Sequence, residues 1–203
     1  MIPVLAQGIL DFWFGPLDAQ GLASEKKRKN WFAKSDDFDK SIKSQFGNLM
    51  ELAPMGAYDL WIKVPESRVA LVVLMDQFSR NLFRGKPRAF YCDEKTQVVT
   101  MQAIKAGEHL SLPVSYGYFV LMPLMHAEKL ELQDLGVKLF AELHEQNIGN
   151  GAAETMIKGA LDYMKQHRDI IAQFGRFPHR NEIMGRESTP EEIVFLKNGG
   201  PRF

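Results

Sequence analysis

The stretch Glu66-Ser67-Arg68-Val69-Ala70-Leu71-Val72-Val73-Leu74-Met75-Asp76-Gln77-Phe78-Ser79-Arg80-Asn81-Leu82-Phe83 decides the fold. Its apolar residues wrap most of the way round a 3.6-residue helical turn, the pattern of a helix covered on several sides. Pro65 stands where a first helical turn tolerates proline, and Gly85 with Pro87 ends the run. The spacing predicts a central helix over residues 66–83, with the rest of the chain packed around it. The end of that helix is polar, so its charged groups start at the core and not in open solvent.

Outward from this segment, hydrophobic residues recur with helical spacing and strict polar/apolar alternation is absent. A first helix is expected from Pro3 to Phe14, stopped by Gly15-Pro16, with Ser24 capping a second. Ser35 or Asp36 caps a third, in which Phe38, Ile42, Phe46 and Leu49 form one stripe. A short helix carries Tyr58, Leu60 and Trp61. Beyond the central helix, others are expected from Asp93 to Ala106 and from Val114 to Met122, the latter stopping before Pro123. Leu132, Leu135, Leu139, Phe140 and Leu143 mark another, and Ala153, Ile157, Ala160, Met164 and Ile171 a long penultimate one. Thr189-Pro190-Glu191-Glu192 is a capping box with proline at the first helical position. The fold class is all-α: about nine helices in antiparallel hairpins, as a superhelix of stacked pairs or an irregular bundle.

The 203 residues fit one domain, and a 45% hydrophobic content with 14 Phe and 10 Met fills a large core. Lys+Arg and Asp+Glu are equal at 25 each, so no net field draws the chain to nucleic acid or to a membrane surface, and neither partner is expected. The longest apolar run, Val69 to Met75, is far short of the roughly 20 residues that span a bilayer. With no leader pattern at the start, a cytoplasmic location is expected. The single cysteine, Cys92, permits no internal disulfide and reads as a small core residue. His109 and His144 read as surface residues, whereas His167 lies in register with the buried face of its helix.

Three segments carry groups suited to chemistry. Asp76, Arg80 and Arg84 share one helical face, with Gln77 and Asn81 beside it, and two guanidiniums a turn apart match the paired oxygens of a carboxylate or phosphate. The plain alternative is an Asp76–Arg80 pair at i, i+4. In Gly175-Arg176-Phe177-Pro178-His179-Arg180-Asn181, glycine and proline force the chain out of the helix into a stiff loop. That loop offers two arginines and a histidine, or else binds helix-end carbonyls structurally. In Pro123-Leu124-Met125-His126-Ala127-Glu128, a histidine and a carboxylate lie two residues apart. The segment lacks the i, i+4 histidine pair of helix-borne zinc sites, so no metal and no cofactor are expected.

These three segments, together with Asp11-Phe12-Trp13-Phe14-Gly15, Trp31-Phe32 and Gly185-Arg186-Glu187-Ser188-Thr189-Pro190-Glu191-Glu192, closely resemble the bacterial domain-of-unknown-function family 924 over essentially the whole chain. The resemblance implies an all-helical fold like that of the tetratricopeptide-repeat superfamily. It implies no reaction.

The leading expectation is a pocket for a small phosphate- or carboxylate-bearing ligand. Arg80, Arg84, Arg176 and Arg180 grip it, His179 and Asn81 orient it, Gln77 also contributes to binding, and Asp76 and Glu128 hold the arginines. A second reading is a hydrolase-like enzyme in which His126 or His179 works beside Glu128 or Asp76. The third is an interaction scaffold that binds a protein partner on a concave helical surface.

Overall fold

The computed structural model describes residues 1–203. It is all-α, with eleven α-helical segments, of which two have only four residues. Ser24 accepts a hydrogen bond from Lys27 N and caps α2 (Glu25–Trp31), which follows α1 (Val4–Trp13). Ser35 accepts from Phe38 N and caps α3 (Asp36–Leu52). These caps satisfy amides that the first turn of a helix leaves without a partner.

The central helix is present, but its geometry is not uniform. α4 (Pro65–Val72) runs into a π-helical segment, Val73–Phe78, and then into α5 (Ser79–Leu82), with right-handed helical dihedrals at both junctions. Every residue of the π-helical segment is buried, including Asp76 and Gln77. Wider turns of this kind are uncommon and occur often at functional sites. Here the wider turn lies where the polar third of the helix begins.

α6 (Asp93–Lys105) and α8 (Val114–Met125) pack on α4, and α1 covers another side of it. α9 (Leu130–Gln146) lies on α8, and α10 (Ala152–Phe174) on α9, joined by so short a link that the two run antiparallel. A continuous core runs from Ala6 to Met164. Its N-terminal half is aromatic: Trp13, Phe14, Trp31, Phe78 and Phe119 meet mostly edge to face, and Trp31 Nε1 donates to Trp13 O at 2.9 Å. Each such buried ring contributes on the order of 1.5–3 kcal/mol. Near the C-terminus, Ile170, Ile171 and Phe177 form a smaller cluster under α11 (Pro190–Lys197).

Two expectations need correction. α8 does not stop before Pro123 but carries it, reaching Met125. A proline removes only its own amide donor, and the end is held by His126 N→Met122 O and Ala127 N→Leu124 O, so His126 sits at the helix end. His109 is buried, not exposed, because α7 (Glu108–Ser111) is pressed onto α8 at Gly117. A Cβ on Gly117 would come within 2.3 Å of His109 O, so only glycine allows that approach. His167 is buried, as its register implies.

Candidate functional site

Asp76 is fully buried in the π-helical turn, yet its carboxylate is completely satisfied. His126 Nδ1 lies 2.8 Å from Oδ1, Gln77 Nε2 donates to Oδ2 at 2.5 Å, and Arg80 Nη1 stands 3.2 Å from Oδ1. Arg80 Nη1 also donates to the Asp76 backbone carbonyl at 2.7 Å. Burial alone would raise the Asp76 carboxyl, but the charge of Arg80 and the bonds from His126 and Gln77 outweigh it and hold the group well below the usual carboxylate range. Asp76 is therefore ionised and acceptor-only, which puts the His126 proton on Nδ1.

That tautomer leaves Nε2 with a lone pair. The His126 side chain is 13% exposed, and Nε2 has no partner within the protein and is not sealed off from the surface. Burial lowers the affinity of the ring for a second proton, and Arg80 lowers it further against the opposing pull of Asp76. The result is a neutral imidazole, oriented by a buried carboxylate, with its basic nitrogen free of protein partners. Such a ring can take a proton at neutral pH.

Around this pair lies a second layer of charge. Arg80 Nη2 donates to Asp93 Oδ2 at 3.1 Å, at the start of α6. Arg180 Nη1 donates to the His126 backbone carbonyl at 3.1 Å and stands 3.7 Å from Asp93 Oδ2. The Arg180 guanidinium lies 4.6 Å from the Phe90 ring centre and 4.5 Å from that of Phe177. Burial pushes the Asp93 carboxyl up, and burial with the nearby Arg80 brings Arg180 down to about 10, still charged at neutral pH. Two arginines thus face two aspartates, and the centre carries no net charge.

The remaining residues singled out in the sequence lie on separate ion pairs. Arg84 Nε and Asn81 Nδ2 both donate to Asp39 of α3, each at 2.7 Å. Arg176 Nε donates to Glu192 Oε1 at 2.7 Å and its Nη2 to Oε2 at 2.9 Å. Glu128 holds none of Arg80, Arg84, Arg176 or Arg180. It accepts from Arg186 on both oxygens, at 2.5 and 2.9 Å, and from Phe177 N at 2.8 Å, which keeps its carboxyl ionised in spite of burial. His179 packs beside Phe177 with a buried Nδ1 that has no partner, and burial brings its ring down to about 4. The four arginines therefore do not meet around one ligand. Asp76, Gln77, Arg80, Arg180 and His126 converge; Asn81, Arg84, Arg176 and His179 lie outside that centre.

The sequence pointed to the role of neither Asp93 nor Glu192. Each stands in the first turn of a helix and reads as a start signal, and each is also the counter-ion of an arginine distant in the chain. Glu192 does both at once, accepting from Thr189 N in the capping box and from Arg176 and Asn181. Cys92 borders the centre, but burial and the charge of Asp93 push its thiol up to about 11, so it is no thiolate. No group of three or more His, Cys, Asp or Glu side chains is placed to hold a metal ion. Two surface hollows, of 540 and 800 Å³, lie elsewhere, one beside Leu112 and Asn147, the other beside Met101 and Leu132. No helix is long and apolar enough to cross a membrane.

A solved structure of a protein of unknown function from Agrobacterium tumefaciens has the same fold, with a TM-score of 0.77 and 33% sequence identity over 96% of this chain and 98% of that one. No curated protein matches the chain. The model of a family described as bacterial proteins of unknown function, DUF924, matches residues 9–200 and so takes in every residue of the centre. The chain belongs to that family.

Proposed function

We propose that Asp76 and His126 form the acid–base pair of a hydrolase-like enzyme that acts on a small anionic substrate. The observation that carries this reading is the 2.8 Å contact from His126 Nδ1 to a fully buried, ionised Asp76, with Nε2 left without a protein partner. In that arrangement Nε2 takes a proton from an attacking water and returns it to the leaving group. Asp76 keeps the ring in the required tautomer and stabilises the imidazolium while it lasts.

Gln77 and Arg80 fix the carboxylate so that it cannot rotate away from the ring. Burial and the charge of Asp93 keep the Cys92 thiol protonated, which favours water over a cysteine as the nucleophile in this reading. The π-helical turn is the feature that brings Asp76 under the end of α8.

The test is a panel of phosphate ester, carboxylate ester and amide substrates, run on wild type, His126→Ala and Asp76→Asn. Turnover should vanish in His126→Ala and fall by orders of magnitude in Asp76→Asn, which keeps the shape but loses the charge. Activity that survives His126→Ala unchanged would overturn the assignment.

A further inference from the structure

An arginine can grip two oxygens side-on through Nε and Nη2. In this protein that edge is occupied almost wherever an arginine is held by the fold. Arg84 gives it to Asp39, Arg176 to Glu192, and Arg68 to the backbone carbonyl of Ile62. Arg80 is closed from its end, by Asp76 and Asp93.

Arg28 and Arg180 are different: each has a buried Nε with no partner, and Arg180 is the one tied to His126. The Arg180 side chain is 7% exposed. Its only hydrogen bond runs from Nη1 to His126 O, and its only carboxylate, Asp93, is at 3.7 Å on that same nitrogen. Nη2 has no protein partner and is not sealed off. An unpaired buried donor is costly, on the order of 1–3 kcal/mol, and is uncommon unless something else supplies the acceptor.

The plane of this guanidinium is fixed as well. Phe90 and Phe177 pack against it, and Pro178 stiffens the short 3₁₀ turn Pro178–Arg180. The flanking chain is tied down by one network: Glu128 binds Arg186 and Phe177 N, Arg186 binds Asn181, and Asn181 binds Glu192. The orientation of the donor pair is thus set by the fold, with Nη2 the accessible member and Nε enclosed beside it.

The geometry points to the Nε–Nη2 edge of Arg180 as a binding site for an oxyanion, a carboxylate or a phosphate, carried by the substrate of the Asp76–His126 centre. This rests on the acid–base reading only for the word substrate; the binding itself does not need turnover. The tie from Arg180 Nη1 to the backbone carbonyl of His126 anchors this guanidinium to the residue that carries the proposed base. Because Asp76 and Asp93 balance Arg80 and Arg180, the pull comes from matched geometry and not from excess charge. Arg180 is thus the specificity residue, and Arg84 and Arg176 are structural.

The test follows the arginine Nε–H resonances by NMR while inorganic phosphate or acetate is added to the full-length protein. A saturable shift confined to Arg180 supports the proposal, and the probe that binds more tightly identifies the class of oxyanion. Arg180→Lys, which keeps the charge but has no side-on pair, should weaken binding by about tenfold, whereas Arg176→Lys should leave it unchanged. Two results would overturn the proposal: no saturable shift at Arg180 with either probe, or equal affinity in Arg180→Lys. The wild-type titration decides the matter even if a variant fails to fold. His126→Gln should bind normally but not turn over, so failure of binding and failure of the acid–base reading are told apart.

Discussion

The segments 76–84 and 174–186 have similar compositions, with aromatic rings among arginines and amides, yet the structure uses them differently. In the first, the polar groups grow out of a buried π-helical turn, and each arginine is closed by an aspartate from its own or a neighbouring helix. In the second, the chain has left the helix, and a string of ion pairs and hydrogen bonds through Glu192, Asn181, Arg186 and Glu128 fastens the loop to the end of α8. That string serves the backbone and leaves Arg180 Nε buried without a partner. The contrast teaches that arginines in a sequence mark where charge is anchored, while binding capacity belongs to the one whose donors the fold does not use.

The comparison can be broken most directly at Asp76. Asp76→Ala leaves Arg80, His126 and Gln77 around an empty acceptor position in the core and should cost about 3–5 kcal/mol, read as a lower midpoint in urea. A loss under about 1 kcal/mol would mean that the buried centre is not held by this carboxylate.

On the loop side, the largest expected effect is acid sensitivity. Burial depresses His167 to about 3 and His179 to about 4, while the unfolded chain takes up those protons near pH 6.5. The unfolded state binds more protons between these values, so stability is full above about pH 6.5 and falls as the pH drops towards 3–4. His167→Phe, which keeps the packing against Phe177 and Phe203, should flatten that decline by about 3 kcal/mol across the window. An unchanged pH profile in the variant would place the acid sensitivity elsewhere.

Next comes Glu192→Ala, which releases Arg176, Asn181 and the Thr189 amide together and should cost about 2 kcal/mol. Faster amide exchange confined to residues 176–192 is the expected readout. Smallest of all is Arg84→Ala. The Arg84 side chain is 40% exposed, so its pair with Asp39 should contribute less than about 1 kcal/mol.

Local signals were legible in the sequence. The Thr189 capping box, the Ser24 and Ser35 caps and the glycine after α10 act within a few residues, and the structure has each of them where the pattern puts it. The burial of the central helix was legible too, because an all-round apolar surface has nowhere else to go. Its π-helical turn was not, since the same apolar run satisfies either helical pitch. Nor was the continuation of α8 through Pro123, where surrounding packing outweighs a single lost amide bond. The arginine partners were hidden for a different reason: Asp39 is brought to Arg84 by the packing of a helix remote in the chain, and Asp93 and Glu192 reach Arg80 and Arg176 across the turns between successive elements, beyond the reach of helical spacing. Gln77, adjacent to Asp76 in sequence, was legible as part of the site, whereas Asp93 could be read only as a helix start.

The state of His126 distinguishes an acid–base pair from a structural tie between two helices. Nitrogen NMR of the imidazole, followed as a function of pH, reads that state directly. The expected result is a neutral ring at pH 7 with its proton on Nδ1, an unprotonated Nε2, and a titration midpoint below the ordinary histidine value of about 6.5. An imidazolium at neutral pH, or a proton on Nε2 with Nδ1 bare, would contradict the central claim.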